Sequence, residues 1–388
     1  MAAGLIAFVN YLASMLLVLG ASGAMYMMAA ARTMRQFFDQ AEPSGRRSEG
    51  VTLLKPLHGA EPKLADNLAS FLVQEHDGPI QLLCGVQRAD DPAIAAVETL
   101  RARFPRARID LVIDPTPHGA NGKVANLINL APHIAHDVIV LSDSDIAVSP
   151  DYLARLLRAL DAPEVGAVTA AYHGRGDAGF WSRVAAAGLS WQFLPGAIVG
   201  SRYGLARPCM GSTIAMRRET LAAIGGFDAF ADVLADDHAI GAAVAARGLA
   251  VAMPPMLVTH ASAERGFGEV WRHELRWGAT VRDLVPGAYL AGMVAMPLPL
   301  ALLALPIHPW PGVFLIVFAL LTRIWVAGVA DDEARARTAP LWLLPLRDCL
   351  TFVVFIASLW VRSVDWRGAR LRMEQDGQIS AEPENLRT

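Results

Sequence analysis

From Leu5 to Ala31 the chain carries no charged side chain. A helix needs roughly 20 mostly apolar residues to cross the hydrocarbon core of a bilayer, so this run is long enough to span one. A cleaved signal peptide would place basic residues ahead of a shorter apolar stretch. Here Met1 to Gly4 has none, and Arg32, Arg35, Arg46 and Arg47 follow the run instead. Residues 1–31 therefore read as a retained N-terminal transmembrane anchor, with the chain after Arg32 on the cytoplasmic side by the positive-inside tendency.

The rest of the 388 residues has room for a sizeable globular domain as well as further membrane segments, and the 54% hydrophobic, 18% charged composition is too apolar for an ordinary soluble protein. A second apolar block runs from Pro286 to Pro306 and from Pro311 to Ala330, split by a tight turn at His308–Gly312. It reads as a transmembrane hairpin over 286–330 with the turn outside, followed by a cytoplasmic loop at Asp331–Thr338. The segment 341–361 is transmembrane or re-entrant. A single crossing would put Arg362, Arg367, Arg370 and Arg372 outside, and the pair Arg347-Asp348 sits badly in a simple span. Residues 373–388 form a polar tail.

Two other observations exclude whole classes. With 34 basic and 37 acidic side chains the net charge is −3, so no nucleic-acid partner is expected. Cys84, Cys209 and Cys349 are far apart and form no CxxC pair. That argues against a disulfide framework or zinc site and for a reducing compartment.

Between the anchors, over residues 50–282, short apolar runs alternate with amphipathic stretches. Val51–Leu54, Ile80–Val86, Ile109–Ile113, Val138–Leu141 and Val165–Ala170 read as buried strands. Asp91–Arg103 and Ser149–Leu160 read as helices between them. The alternation implies an α/β domain with a sheet and right-handed crossovers, whose ligands bind beyond the carboxyl ends of the strands.

Chemistry is therefore sought at the strand exits. Val138–Leu141 delivers Asp143 and Asp145, which on an extended chain point to one side and suit a hard divalent cation, Mg²⁺ or Mn²⁺. An ordinary acidic turn is the competing explanation. Asp90 and Asp91 follow the strand ending at Val86, placed to bind a nucleoside or only to cap the next helix. Asn121-Gly122-Lys123 opens a helix, where Lys123 and backbone N–H groups suit a diphosphate. Asp236-Asp237 precedes a small-residue helix, and Asp237 is the candidate general base for an acceptor hydroxyl. His273, Arg276 and Trp277 share a helix face, with Arg276 suited to phosphate and Trp277 to stacking, or both to the membrane interface. The aromatic stretch between Gly179 and Gly200 is either core or an interfacial helix. His133 and His136 share a helix face but lack a carboxylate or cysteine partner for a metal.

Taken in order, Lys55-Pro56-Leu57, Asp90-Asp91-Pro92, Asp143-Ser144-Asp145, Asp236-Asp237 and Arg276-Trp277 resemble the ceramide glucosyltransferase-like family of inverting glycosyltransferases. The resemblance runs from about Val51 to Trp277, and Trp366-Arg367-Gly368 is similar to that family's C-terminal stretch. It implies a GT-A (Rossmann-like) glycosyltransferase domain with transmembrane helices at both the N-terminus and the C-terminus. By the resemblance, Asp91 or Asp90 contacts the nucleotide, Asp143 and Asp145 hold metal and diphosphate, and Asp237 is the base. The chain departs from the pattern at His273, where Gln or Arg is usual. It also reads Asp143-Ser144-Asp145 where ceramide enzymes read Asp-Ser-Gly, and it lacks their His-Pro near Phe193. Those departures point toward the bacterial branch acting on the hopanoid bacteriohopanetetrol, in a bacterial inner membrane.

The leading expectation is an enzyme moving a sugar from a UDP-sugar donor, UDP-GlcNAc or UDP-glucose, to a membrane lipid, hopanoid or ceramide. Two alternatives stand beside it. A processive polysaccharide synthase shares the Arg-Trp ending but needs more spans for a polymer channel. A membrane scaffold or sugar sensor with a dead site needs no acidic set, yet here each acidic position is filled.

Overall fold

The computed structural model describes residues 2–40, 47–206 and 209–361, and the backbone of 363–366, 369–373 and 379–381. Arg46, Arg362, Arg367, Gly368 and most of the tail expected after Met373 lie outside the described residues. The charge-free N-terminal run is one helix, α1 (Ala2–Phe38). At about 1.5 Å per residue its 37 residues extend roughly 55 Å, longer than a bilayer core. Ala13, Gly20, Gly23, Ala24, Met27, Ala30, Ala31, Met34 and Phe37 form its buried stripe, recurring at helical spacings of three, four or seven residues. Small residues on that stripe bring neighbouring helices close, as in membrane bundles, and Leu5, Phe8, Tyr11 and Val18 face outward.

A seven-stranded sheet forms the centre of the globular part, in the order β3-β2-β1-β4-β8-β6-β9. Its strands are β1 (Val51–Pro56), β2 (Ile80–Val86), β3 (Arg108–Ile113), β4 (Val138–Leu141), β6 (Val165–Thr169), β8 (Ile214–Arg217) and β9 (Ala250–Ala252). β1 to β4 pair in parallel, whereas β8 runs antiparallel to both β4 and β6. Every residue of β1 and β4 is buried, as expected of unbroken apolar runs covered on both faces. The apolar runs of the sequence mark β1 to β4 and β6, whereas β8 carries no such mark. A smaller sheet stands at the carboxyl edge, with β10 (Leu257–Ser262) between β5 (Ile146–Ala147) and β7 (Ala171–Gly176). Helices α2 (Leu64–Ser70), α3 (Ala93–Arg103), α4 (Gly122–Leu130) and α5 (Tyr152–Leu160) link the early strands.

After β7 the chain forms a helix over Phe180–Arg202, made of α6 (Phe180–Gly188), a π-helical turn (Leu189–Phe193) and α7 (Leu194–Arg202). This aromatic stretch is apolar enough to cross a membrane, yet it is mostly buried inside the protein. Trp191 is fully enclosed, and its indole N–H donates to Asp331 at 3.1 Å. Of the two readings of this stretch, packing favours core. α8 (Arg218–Ala223), α9 (Asp236–Ala246) and α10 (Phe267–Leu284) follow.

The second apolar block is α11 (Pro286–Ala291), α12 (Pro297–Ala304) and α13 (Pro309–Glu333). The first leg of the expected hairpin is not one straight helix, because Pro286–Ala295 and Pro297–Ala304 meet at a bend of 65°. Met296, which precedes Pro297 and leaves the helical region with φ −120° and ψ 58°, makes the break. α14 (Leu344–Ser358), entered through a short 3₁₀ turn, completes the block, and α1 packs against α12, α13 and α7. By length and composition α1, Phe180–Arg202, α13 and Leu341–Ser358 could each cross a membrane. The backbone of β11 (Ser363–Trp366), β12 (Ala369–Met373) and β13 (Ile379–Ala381) forms an antiparallel sheet, placing a strand where only a tail was expected.

Candidate active site

The acidic turn after β4 is held from below by a buried lysine. Lys55 on β1 is 0% exposed, and its ammonium donates to Ser142 Oγ and to the Asp143 carbonyl, both at 2.9 Å. The same nitrogen lies 3.4 Å from the centre of the Phe71 ring. Burial pulls its pKa down to about 7 against the opposing pull of Asp143 and Asp145. Ser144 Oγ donates to Glu61 Oε1 at 2.8 Å, fixing the far side of the turn. Asp143 and Asp145 are thus not neighbours on an extended strand; they sit on a turn and have different partners.

Asp143 turns toward α4. Asn121 caps that helix by accepting from the N–H groups of Lys123 and Val124 at 3.0 and 3.1 Å, and its amide donates to the Val233 carbonyl at 2.7 Å. That cap ties the start of α4 to the loop before α9. Lys123 Nζ then bridges Asp143 Oδ1 at 2.8 Å and Asp236 Oδ2 at 3.0 Å. Burial works against its charge, but Asp143, Asp236 and Asp237 together hold the ammonium well above its ordinary pKa. Burial, opposed by Lys123 and reinforced by Asp237 and Asp143, pushes the Asp236 carboxyl up to about 6.

The two aspartates of the acidic pair therefore differ. Asp236 is buried against Lys123, whereas Asp237 is half-buried at the rim, accepting from Gly211 N–H at 2.9 Å and His238 N–H at 2.7 Å. A Cβ on Gly211 would lie 2.8 Å from Asp143 Oδ2 and 3.1 Å from Lys123 Nζ. Only glycine keeps the space between these charges open.

Asp145 turns the other way, toward β10, where His260 Nε2 lies 3.2 Å from its Oδ2. Burial favours the neutral imidazole, but Asp145 overrides it and raises the His260 pKa to about 9. From His260 a chain of rings crosses the site: Tyr172 stacks on His260 at 5.8 Å and on Phe193 at 4.9 Å, and Phe193 lies 6.0 Å from Trp277. The His273 ring meets Trp277 edge-on at 5.2 Å, and His273 Nδ1 lies 2.6 Å from Glu264 Oε1. Arg276 is half-buried on the same helix.

The nucleotide candidates separate as well. Asp91 is buried and accepts from the N–H groups of Gly59 and Ala93 at 2.9 and 2.8 Å, joining the exits of β1 and β2. Asp90 stands outside that junction, exposed, with both carboxylate oxygens taken by Arg88. His260, Glu264 and Gly211 carry no motif in the sequence, and the role of Lys55 emerges only in the fold. The one local signal was a histidine inside a short, otherwise uncharged strand, Leu257–Ser262, and nothing in its spacing links it to Asp145.

The donor set suits a hard divalent ion. Among the described residues no three His, Cys, Asp or Glu side chains already converge on one position, and neither His133 nor His136 joins such a group. Mg²⁺ and Mn²⁺ sites of nucleotide enzymes need only one or two carboxylates, the remaining positions going to phosphate and water. Asp145 Oδ1 is a buried carboxylate oxygen with no hydrogen-bond partner, as expected of an atom kept for such a ligand.

Comparison with known proteins places this geometry in context. The model of the family described as "Glycosyl transferase family 21" matches residues 15–379. "Ceramide glucosyltransferase 3" of Caenorhabditis elegans is 24% identical over 349 residues, 85% of this chain and 74% of that protein. "Ceramide glucosyltransferase 1" of the same organism is 26% identical over 216 residues, 55% of this chain but only 46% of that protein, so the match spans about half of it. Among solved structures, a mannosyltransferase from Pyrobaculum calidifontis, in complex with GDP-Man and Mn²⁺, superposes with a TM-score of 0.52 at 21% identity, covering 91% of this chain and 99% of that one. The fold is that of the GT-A glycosyltransferases.

Proposed function

The chain belongs to glycosyl transferase family 21, and on that premise we propose that it moves a sugar from a UDP-sugar to a hydroxyl of a membrane lipid in one inverting step. The observation that carries the reading is the meeting of Asp143, Asp236 and Asp237 around Lys123 and Gly211, with α10 bringing Trp277 to the ring chain beside Asp145. An alcohol is a poor nucleophile until its proton is removed. Asp237, oriented by two backbone N–H groups at the rim, takes that proton as the lipid oxygen attacks the anomeric carbon. The bond from that carbon to the diphosphate breaks on the opposite face, and UDP leaves.

Lys123 and Arg276 bear on the departing diphosphate, Asp91 on the nucleoside, and Trp277 on the sugar face. Asp143 and Asp145 would hold Mg²⁺ or Mn²⁺, which offsets the negative charge gathered on the diphosphate. Asp236 keeps Lys123 in place rather than acting on substrate.

For the finer identity we propose bacteriohopanetetrol as acceptor and GlcNAc as sugar, on the Asp143-Ser144-Asp145 sequence and the missing His-Pro near Phe193. Ceramide and glucose form the second reading, favoured by the names of the Caenorhabditis relatives. Lipid mass spectrometry of cells with and without the gene separates them, because sugar and acceptor are lost together as one species. In the purified protein Asp237→Asn should lower turnover about 10²- to 10⁴-fold while UDP binding stays near that of the parent. Turnover near the parent value would remove Asp237 from the role of base.

A further inference from the structure

Helix α14 carries Arg347 and Asp348, charges that fit no simple membrane span. Each has a partner on a different element. Asp348 accepts from Arg323 of α13 at 2.8 to 3.1 Å, and from Gln192 of the π-helical turn at 3.1 Å. Arg347 faces the catalytic domain. Its Nη2 donates to Glu274 Oε2 at 2.8 Å, its Nη1 reaches the other oxygen of that carboxylate, and its Nε donates to Gln192 Oε1 at 3.0 Å. Glu274 lies between His273 and Arg276 on α10. Gln192 immediately precedes Phe193, the ring between Tyr172 and Trp277.

A second attachment lies further along the same two helices. Arg282 of α10 donates from Nη2 to the Val361 carbonyl at 2.8 Å and from Nη1 to the Ser358 carbonyl, which also accepts from the Val361 N–H at 3.2 Å where the chain leaves α14. Between the attachments, a Cβ on Gly278 would lie 2.9 Å from Tyr289 Oη and 3.3 Å from Ser358 Cβ, so the helices nearly touch there. Attachments rise together in number, Glu274 to Arg347 and Arg282 to Val361, so the helices run side by side in the same direction. Elsewhere α10 is held by partial packing: Trp271 and Trp277 lie against the cores, but only Val270 and Ala279 of its 18 residues are buried. A helix with so few enclosed side chains opens locally at small cost unless something else fixes it.

We propose that α14 is a rack for α10, and that Arg347 and Arg282 are positioning residues that set His273, Arg276 and Trp277 against the acidic site. The inference rests on the transferase reading for what α10 does, but not for how α10 is held. Through Asp348 and Arg323 the same rack is fixed to the apolar helices, so the site's closing side chains take their register from the membrane-type block.

The test uses the full chain in detergent, with two readouts: backbone hydrogen exchange, and turnover of UDP-sugar to glycolipid. Arg347→Ala should raise exchange over residues 270–282, leave β1 to β4 protected, and lower turnover about 10- to 100-fold, as expected for a displaced binding group. The exchanged pair Arg347→Glu with Glu274→Arg should return both readouts toward the parent. Glu274→Gln keeps the shape but removes the negative charge, leaving a hydrogen bond in place of the ion pair; it should shift both readouts the same way by less, and it serves if Arg347→Ala does not fold. Unchanged exchange over α10, or raised exchange with parent turnover, overturns the proposal. If the parent itself yields no glycolipid, the transferase reading is what fails, and the exchange of α10 still decides whether the rack exists.

Discussion

Lys123 shows how one side chain organises opposite charges: it bridges Asp143 and Asp236, and removing it would leave the buried Asp236 carboxylate facing the half-buried Asp143 with no cation between them. His173 on β7 poses a different residue-scale problem. It is buried, its Nε2 lies 2.9 Å from Thr259 Oγ1, and burial lowers its pKa from 6.5 to about 4. Above pH 6.5 the ring is neutral in the folded and unfolded chain alike, and its packing contributes fully. As pH falls from 6.5 toward 4 the unfolded chain takes up a proton that the folded chain refuses, so stability drops. At roughly 1.4 kcal/mol per pKa unit the loss approaches a few kcal/mol. His173→Gln should therefore flatten the fall of the thermal midpoint across that window; an unchanged slope would assign acid lability to other groups.

At the scale of elements, β1, β2 and β4 are legible because strands buried on both faces require an unbroken apolar run. β3 and β6 carry short apolar runs of the same kind, although β3 is only partly buried. β8 and β10 escaped because Ile214–Arg217 is as short as β4 but ends on a charge instead of being apolar throughout, and Leu257–Ser262 mixes polar and apolar positions. The site was legible in the same uneven way. Asp143, Lys123 and Asp236-Asp237 stand at strand or helix ends, where a pattern can find them. His260 meets Asp145 only through the pairing of β5 with β10. The helix block makes its own prediction. Arg323 and Asp348 are 1% and 3% exposed, and an unpaired charge there is far costlier than no charge. Asp348→Ala should cost on the order of 3–5 kcal/mol, whereas Arg323→Leu with Asp348→Leu should recover much of it. Thermal unfolding of the two variants in one detergent checks this, and equal losses would show that the pair matters by shape alone.

The whole molecule joins an α/β domain to a bundle of long apolar helices. α1 leads into that domain, and Arg32, Arg35 and Arg47 lie on the domain side of its apolar run. The topology expected from those charges puts the domain in the cytoplasm and the turn at His308–Gly312 on the other face. Trp310, which is 84% exposed, reports on it. In a cysteine-free background, Trp310→Cys should react with a membrane-impermeant maleimide from outside intact cells, and His118→Cys on the globular domain only after lysis. The reverse pattern would invert the topology. Linear order, apolar length and charge placement were enough to indicate a membrane-attached α/β domain and most of its acidic positions, because burial of a strand or a span leaves a periodic mark on neighbouring residues. Which aspartate of each pair faces inward, why Arg347-Asp348 is tolerated, and what holds α10 against the site depend on side chains far apart in the chain. Those contacts follow from packing in three dimensions, and packing leaves no period to read.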